Sequence, residues 1–485
     1  MRKLIPFLLT AAALHAAVKL PALISDHMVL QQGIPVRVWG TADPGESVKV
    51  DFQGQSVSVK AAENGKWTAW LRPLIAAGPL DMAVNSQTIH DVLVGEVWLG
   101  SGQSNMEFRL ATANNHDEEI ARADYPMIHL FQVKKAVADQ PLDDVTGSWQ
   151  VCSPASVTRF SAVEYFFGRH LLQNLHLPMG LIESDWGGTP AQSWASRQAM
   201  ESDPALKFVL DEWDTVLSRY PAAKQRYDQQ VADAKAQGKM PPNPPAGPSH
   251  QNTPGGLYNA MIAPLVPYGI RGVIWYQGES NASEAHAYKY RRLFGAMIED
   301  WRNRWGEGDF PFLFVQLANY KTNGWWPVLR ESQTETLRLA NTGMAVIVDI
   351  GESKDIHPKN KQDVGLRLAL AARALTYHQP IEYSGPMFQS AAPEGAAMRV
   401  YFTHADGMQG AGGSAIKGFE IAGPDGKYVE AEAHIEGATV VVSSAQVSAP
   451  AAVRYAWADD PACNLVNQVG LPASPFRSDQ PRYAQ

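Results

Sequence analysis

The sequence predicts an α/β protein in which a mainly parallel sheet, covered by helices, is flanked on both sides by β-rich regions. Three observations point to this class. Between residues 94 and 379, short apolar runs alternate with helix-favouring stretches, an order that builds a parallel sheet buried on both faces. Residues 18–93 and 380–485 instead alternate apolar and polar positions between tight-turn signals, as small β-sandwiches do. Several of the central apolar runs also end in polar, glycine-bearing loops, where open α/β sheets carry their reactive groups.

Composition narrows the function classes. The 485 residues, 45% apolar and 19% charged, are those of a globular chain of several domains. A formal net charge of −8 without any basic run argues against a nucleic-acid partner. No run after the N-terminus is long and apolar enough to span a membrane. Cys152 and Cys463 read as buried thiols, not as a disulfide framework. No Cys/His cluster has metal-ligand spacing, so neither a metal nor another cofactor is expected.

Taken in order, residues 1–17 (MRKLIPFLLTAAALHAA) have the layout of a signal peptide. Arg2 and Lys3 form a basic start, an apolar stretch follows, and Ala16 and Ala17 offer small residues for cleavage. The expected location is therefore secreted or periplasmic. Residues 18–93 form an N-terminal β domain through VRVWG, SVKVDF, SVSVK and KWTAWL, parted by DPGE, GQ and ENGK turns. Residues 94–379 hold the α/β core, with strands expected at EVWLG, IHLFQV, GLIES, GVIWYQ, FLFVQ and AVIVDI (345–350). In SAVEYFFGRHLLQNL a helical face carries His170 as a packed boundary residue. Residues 200–256 read as an insertion: a charged helical stretch to 238, then MPPNPPAGPSHQNTPGG, whose prolines exclude regular structure. It is either a lid over the sheet's loops or a solvated linker. Residues 380–485 return to strands with Asp-Gly and Glu-Gly turns.

Four loops carry the chemistry: SGQSNM with Ser104, ESDWGGTPAQSW (183–194), WYQGESNA (275–282) and DIGESKDIHPKNKQ (349–362). Singly, each is an ordinary turn; together they supply every part of acyl transfer. Ser104 is a nucleophile that needs a base. His357 titrates near neutrality and can take that proton and later return it. Asp355 can orient the imidazole. Backbone N–H groups of Ser104 and of the Gly187–Gly188 turn, with the amide of Gln277 or Asn281, can bind the oxyanion. Gln103, Asn105, Trp186 and Glu279 adjoin these positions and read as substrate-binding. Because no Gly follows Ser104 two residues later, the loop differs from the G-x-S-x-G elbow.

GQSNM, GGTPAQSW, WYQGESNA and DIHPKNKQ resemble the motif blocks of the SGNH hydrolases, in the sialate O-acetylesterase branch. The resemblance extends to LISDHMVLQQGIPVRVWGTADPGESV, LYNAMIAPLVPYGIRGVIWYQGES and GLPASPFRSD, and so covers nearly the whole chain after residue 17. It implies a flavodoxin-like α/β/α sandwich flanked by β domains, and removal of acetyl groups from sugars. It also implies Ser104 as nucleophile, His357 as base and the Gly-Gly turn as the second-block glycine. Two positions depart from the family pattern. The acid usually lies three residues before the His, but position 354 is Lys, so Asp355 is the candidate, with Asp349 and Glu352 in reserve. The third block usually has Asn two after its Gly, but position 280 is Ser.

The expected partner is an acetylated carbohydrate, and the sequence leaves the oligomeric state open. A sialic acid would want an Arg such as Arg109 for its carboxylate. A neutral plant-type polysaccharide would want an aromatic cleft, for which Trp186, Trp194, Trp275, Trp325 and Trp326 are candidates. Two other functions fit less of the chain. A glycosidase using Glu279 and Asp355 leaves Ser104 and the Gly-Gly loop without roles. An inert glycan-binding protein leaves the whole Ser, His, Asp and amide set unexplained.

Overall fold

The structure is a computed structural model that describes residues 18–322 and 324–479. The signal-peptide reading of residues 1–17 lies outside the described residues. The fold is organised around one strand, β1 (Gln87–Gly102), 16 residues long and almost fully buried in its second half. Its remaining sheet neighbours are β2 (Tyr125–Gln132), β3 (Trp149–Cys152), β4 (Met179–Asp185), β5 (Gly272–Tyr276), β6 (Phe312–Val315) and β7 (Thr342–Ala345). They lie in the order β7-β6-β5-β1-β4-β2-β3, and every pairing is parallel except that of β2 with β3. Taken by themselves, β4-β1-β5-β6-β7 follow in chain order the flavodoxin-like sequence 2-1-3-4-5, and β2 and β3 extend the sheet beyond β4. The α/β expectation agrees with the sheet, and the added edge strands β2 and β3 were not part of it.

Helices α1 (Ala162–Leu175), α3 (Tyr290–Trp305), α4 (Trp326–Glu335) and α5 (Lys361–Leu375) complete the core, apart from α2 (Lys207–Ala236) of the insertion. Strand alternation divides them between the two faces. Phe312 and Phe314 pack on Phe294 of α3. Leu313 between them faces the other side, where Gly343 lets Leu375 and Ala371 of α5 approach the sheet. On that side Gly365 of α5 lies so close to Phe166 and Phe167 of α1 that a Cβ would stand 2.6 Å from Phe166 Cβ. The expected strand at 345–350 is shorter and earlier than its apolar run. Beyond Ala345 the chain leaves the ladder, and Arg367 donates to the Val346 carbonyl at 2.7 Å and clasps Asp349.

The N-terminal strands do not stand apart. Ala77–Val84 pairs antiparallel with β1, and Val29–Gln31 runs parallel to it. The apolar residues of this region and of the α/β region form one continuous core. The C-terminal region has its own core, built by Val400, Phe419, Val440, Val453, Tyr455 and Phe476 between two four-stranded sheets. Buried Arg330 of α4 joins it to the rest by donating to the carbonyls of Ala458 and Asp459. The helix α2 runs for 30 residues with only Val209 and Leu210 buried, and the proline-rich segment returns along it with Gly247 against the Tyr220 ring. Cys152 is buried, Cys463 half-buried, and both are free thiols.

Gly102 ends β1 at φ +141, and a Cβ there would lie 2.2 Å from the Tyr276 carbonyl of β5. The substitution Gly102→Ala forces both a strained φ and a backbone clash. It is expected to lower stability by about 3 kcal/mol, read as a lowered urea midpoint.

Candidate functional site

Directly after Gly102 the chain turns beneath β5, with the Gln103 N–H donating to the Tyr276 carbonyl at 3.0 Å. This turn leaves Ser104 half-buried at the carboxyl end of the sheet. His357, from the loop between β7 and α5, meets it there: Nε2 lies 2.9 Å from Ser104 Oγ. Asp355 Oδ1 accepts the backbone N–H of His357 at 2.9 Å and stands 3.6 Å from its Nδ1. Burial holds the His357 imidazole below its ordinary range, the nearby Lys361 ammonium adds to this, and Asp355 opposes both. The two reserve acids are engaged elsewhere. Asp349 is bidentate with Arg367, and Glu352 accepts the Lys359 N–H.

The second loop comes close to the serine. A Cβ on Gly187 would be 3.2 Å from Ser104 Cβ, so the glycine backbone comes close to the serine. Its N–H, however, donates to Glu107 Oε2 at 2.7 Å, and Glu107 in turn pairs with Lys135 at 2.5 Å. The N–H groups of Ser104 and Gly188 have no acceptor among the described residues. Gln277 and Asn281 are placed differently from the oxyanion role expected of them. Gln277 is fully buried, and its Nε2 donates to Gln103 Oε1, Thr189 O and Asn281 Oδ1. Asn281 Nδ2 donates to Gln192 Oε1, while its Oδ1 also accepts the Ala191 N–H. The two amides therefore tie the second and third loops together, because buried polar groups must find partners.

A buried knot joins the first, third and fourth loops. Asn105 Nδ2 donates to Glu279 Oε1 at 2.6 Å and to the carbonyl of Ile356, the residue before His357. Its Oδ1 accepts from Lys361 Nζ at 2.5 Å. Lys361 is fully buried, with its ammonium over the Phe108 and Tyr276 rings. Burial lowers its pKa to about 7 and raises that of Glu279. Asn105 and Glu279, expected to bind substrate, instead hold the loop of Ser104 to the loop of His357.

Known proteins identify the chain's relatives. A profile of the carbohydrate esterase family of sialic acid-specific acetylesterases matches residues 248–376. Mouse sialate O-acetylesterase is 32% identical over 422 residues, covering 75% of this chain and 74% of its own. The chain belongs to the sialate O-acetylesterase family. The human sialate O-acetylesterase is also 32% identical, over 410 residues that cover 75% of this chain and 72% of its own. The crystal structure of a carbohydrate acetylesterase from Xanthomonas citri superposes with a TM-score of 0.84 at 39% identity, covering 96% of this chain and all of that one. As a member of the family, the chain is a carboxylic-ester hydrolase.

The other candidates of this family member divide between the core and partly exposed positions. Trp194 and Trp275 are fully buried, stacked edge to face in the core. Trp326 opens α4 and is buried, donating to the Ala318 carbonyl at 2.7 Å. Trp325 is half-buried against Tyr288. Trp186, also half-buried, carries the Lys135 ammonium 5.5 Å from its ring centroid. Arg109 is exposed and lines a cavity with Glu183, Asp185 and Arg159. His170 is half-buried and contacts Arg373 at 3.1 Å. Lys361 and Glu107 were not legible as site residues. A lysine four positions after a histidine ordinarily reads as a solvated helix face, and only the fold shows it buried.

Removing the centre of the knot leaves a buried ammonium and a buried carboxylate without their partner. Asn105→Ala is expected to cost about 2–3 kcal/mol of stability, measured by chemical unfolding. An unchanged unfolding midpoint would contradict the knot.

Proposed function

We propose that this chain removes acetyl groups from acetylated carbohydrates by acyl transfer through Ser104, His357 and Asp355. The observation that carries this is the 2.9 Å contact between Ser104 Oγ and His357 Nε2 at the carboxyl end of the sheet. In the reading, His357 Nε2 takes the Ser104 proton as Oγ attacks the acetyl carbonyl. The same nitrogen then gives that proton to the departing sugar oxygen, leaving an acetyl-serine. Water, deprotonated by His357, cleaves this ester to acetate and restores the serine. The Asp355 carboxylate stabilises the transient imidazolium and fixes the loop through the His357 N–H. The free N–H of Ser104 is the first oxyanion donor, with the second from the Gly187–Gly188 turn. Gly187 can contribute only when Glu107 releases it.

The relatives support the substrate class, since those at hand are sialate O-acetylesterases and a carbohydrate acetylesterase. The signal-like N-terminus supports export to the periplasm or medium. No helix among the described residues is long and apolar enough to cross a membrane. Paired-carboxylate glycoside cleavage is disfavoured because Glu279 is bound to Asn105 and Asp355 to the His357 backbone.

Ser104→Ala is expected to lower acetate release from 4-nitrophenyl acetate and from an acetylated polysaccharide by at least about 10⁴-fold. Retention of activity would refute the serine mechanism. The pH profile tests the charge environment. Because His357 must be neutral to accept a proton, the acid limb of kcat/KM should fall below pH 6.5, the ordinary value for imidazole. Replacing Lys361 by Met removes a positive charge that disfavours the imidazolium, so the His357 pKa rises and that limb moves to higher pH. An unmoved limb would remove Lys361 from this role.

A further inference from the structure

Among the loops that hold the Ser104 turn lies a cleft of about 240 Å³ with walls of two origins. Pro190, Gln192 and Ser280 come from the loops after β4 and β5. Glu212 and Trp213 come from the first turns of α2, and Asn252 from the segment that returns from it. The cleft and the reacting pair are built on the same loops. The Ser280 N–H donates to Oε1 of Gln103, the residue before Ser104, at 3.1 Å. Gln251, beside Asn252, donates to the carbonyl of Gly187, which abuts Ser104, also at 3.1 Å.

The lining specifies a ligand chemistry. Trp213 is half-buried, and among the described residues no ring stacks on it and its indole N–H has no partner. An aromatic face with an apolar body and a free polar edge suits the C–H face and hydroxyls of a pyranose. Asn252 also lines the cleft and brings a side-chain amide to it, a group that pairs with hydroxyls. Glu212 is held by His286 Nε2 at 2.8 Å through one carboxylate oxygen, leaving the other to accept. No Lys or Arg lines the cleft. A carboxylate-bearing sugar would therefore meet an acid without a counter-charge, whereas a neutral one meets hydrogen-bonding groups, a ring and the apolar side chains of Val209, Val216 and Pro254.

We propose that the insertion builds a subsite, with Trp213 as its platform, for a neutral pyranose unit adjoining the acetylated sugar. The preferred substrate is then an acetylated oligosaccharide and not a lone acetylated sugar. This rests on the esterase reading above, and the acyl transfer itself is unaltered by it.

The test compares kcat/KM for acetylated xylo-oligosaccharides, acetylated methyl xyloside and 4-nitrophenyl acetate in wild type, Trp213→Ala, Trp213→Phe and Ser104→Ala. The expected result is that wild type prefers the oligosaccharides. Trp213→Ala should lower kcat/KM for them about tenfold more than for the single sugar, chiefly through KM, and Trp213→Phe should recover most of the loss. A wild type without preference for the longer substrate, or an equal effect of Trp213→Ala on all three, overturns the subsite. Failure of the esterase reading is separate: it is seen as undiminished 4-nitrophenyl acetate hydrolysis by Ser104→Ala.

Discussion

Everything in the molecule hangs on the strand β1. Its first half is hydrogen-bonded to the N-terminal β region, its second half lies at the centre of the parallel sheet, and its last residue precedes Ser104 by two positions. A continuous ladder of this kind transmits position along the chain with little slack, because a shift in register turns each side chain to the opposite face. The N-terminal region therefore braces the very strand that delivers the serine. Gly102 terminates that strand where the carbonyl of Tyr276 leaves no room for a side chain.

Beneath the reacting pair the protein holds a charged interior that it has to stabilise. Lys361 and Glu279 are both removed from water, and a single asparagine touches both. Breaking such a set leaves an uncompensated charge, so its value lies in fixing geometry more than in net stability. The same asparagine reaches the carbonyl before His357, so one side chain sets the distance between loops that lie some 250 positions apart in sequence. A flexible Ser-His pair would lose the alignment that proton transfer needs.

Much of this was legible in the chain. The strands at EVWLG, IHLFQV, GLIES, GVIWYQ and FLFVQ stand where their apolar runs lie, because a sheet buried on both faces demands continuous apolar residues. The Ser104 and His357 loops were found by residue type, and the fold brings them into contact. What was not legible depends on long-range contact. The order of β4 and β2 in the sheet is set by packing and not by any local signal. The apolar run after Ala345 leaves the ladder because Arg367, twenty-two positions on, takes the place of a neighbouring strand. Gln277 and Asn281 carry the right chemistry for an oxyanion donor, but burial commits their amides to each other. Trp194, Trp275 and Trp326, read as cleft residues, fill the core, since composition cannot distinguish a packed indole from an open one.

The helix α2 has a consequence for how such an enzyme diversifies. Beyond its first turns it buries almost nothing, so its sequence is nearly free of the packing constraints that govern the sheet. Only the turns from Val209 to Val216, with Glu212 and Trp213 between, face the cleft. Substrate preference can drift through changes in this arm and its proline-rich return, while the strands, the charged knot and the serine turn stay as they are. Catalysis and recognition are thereby separated into a part that tolerates little change and a part that tolerates a great deal.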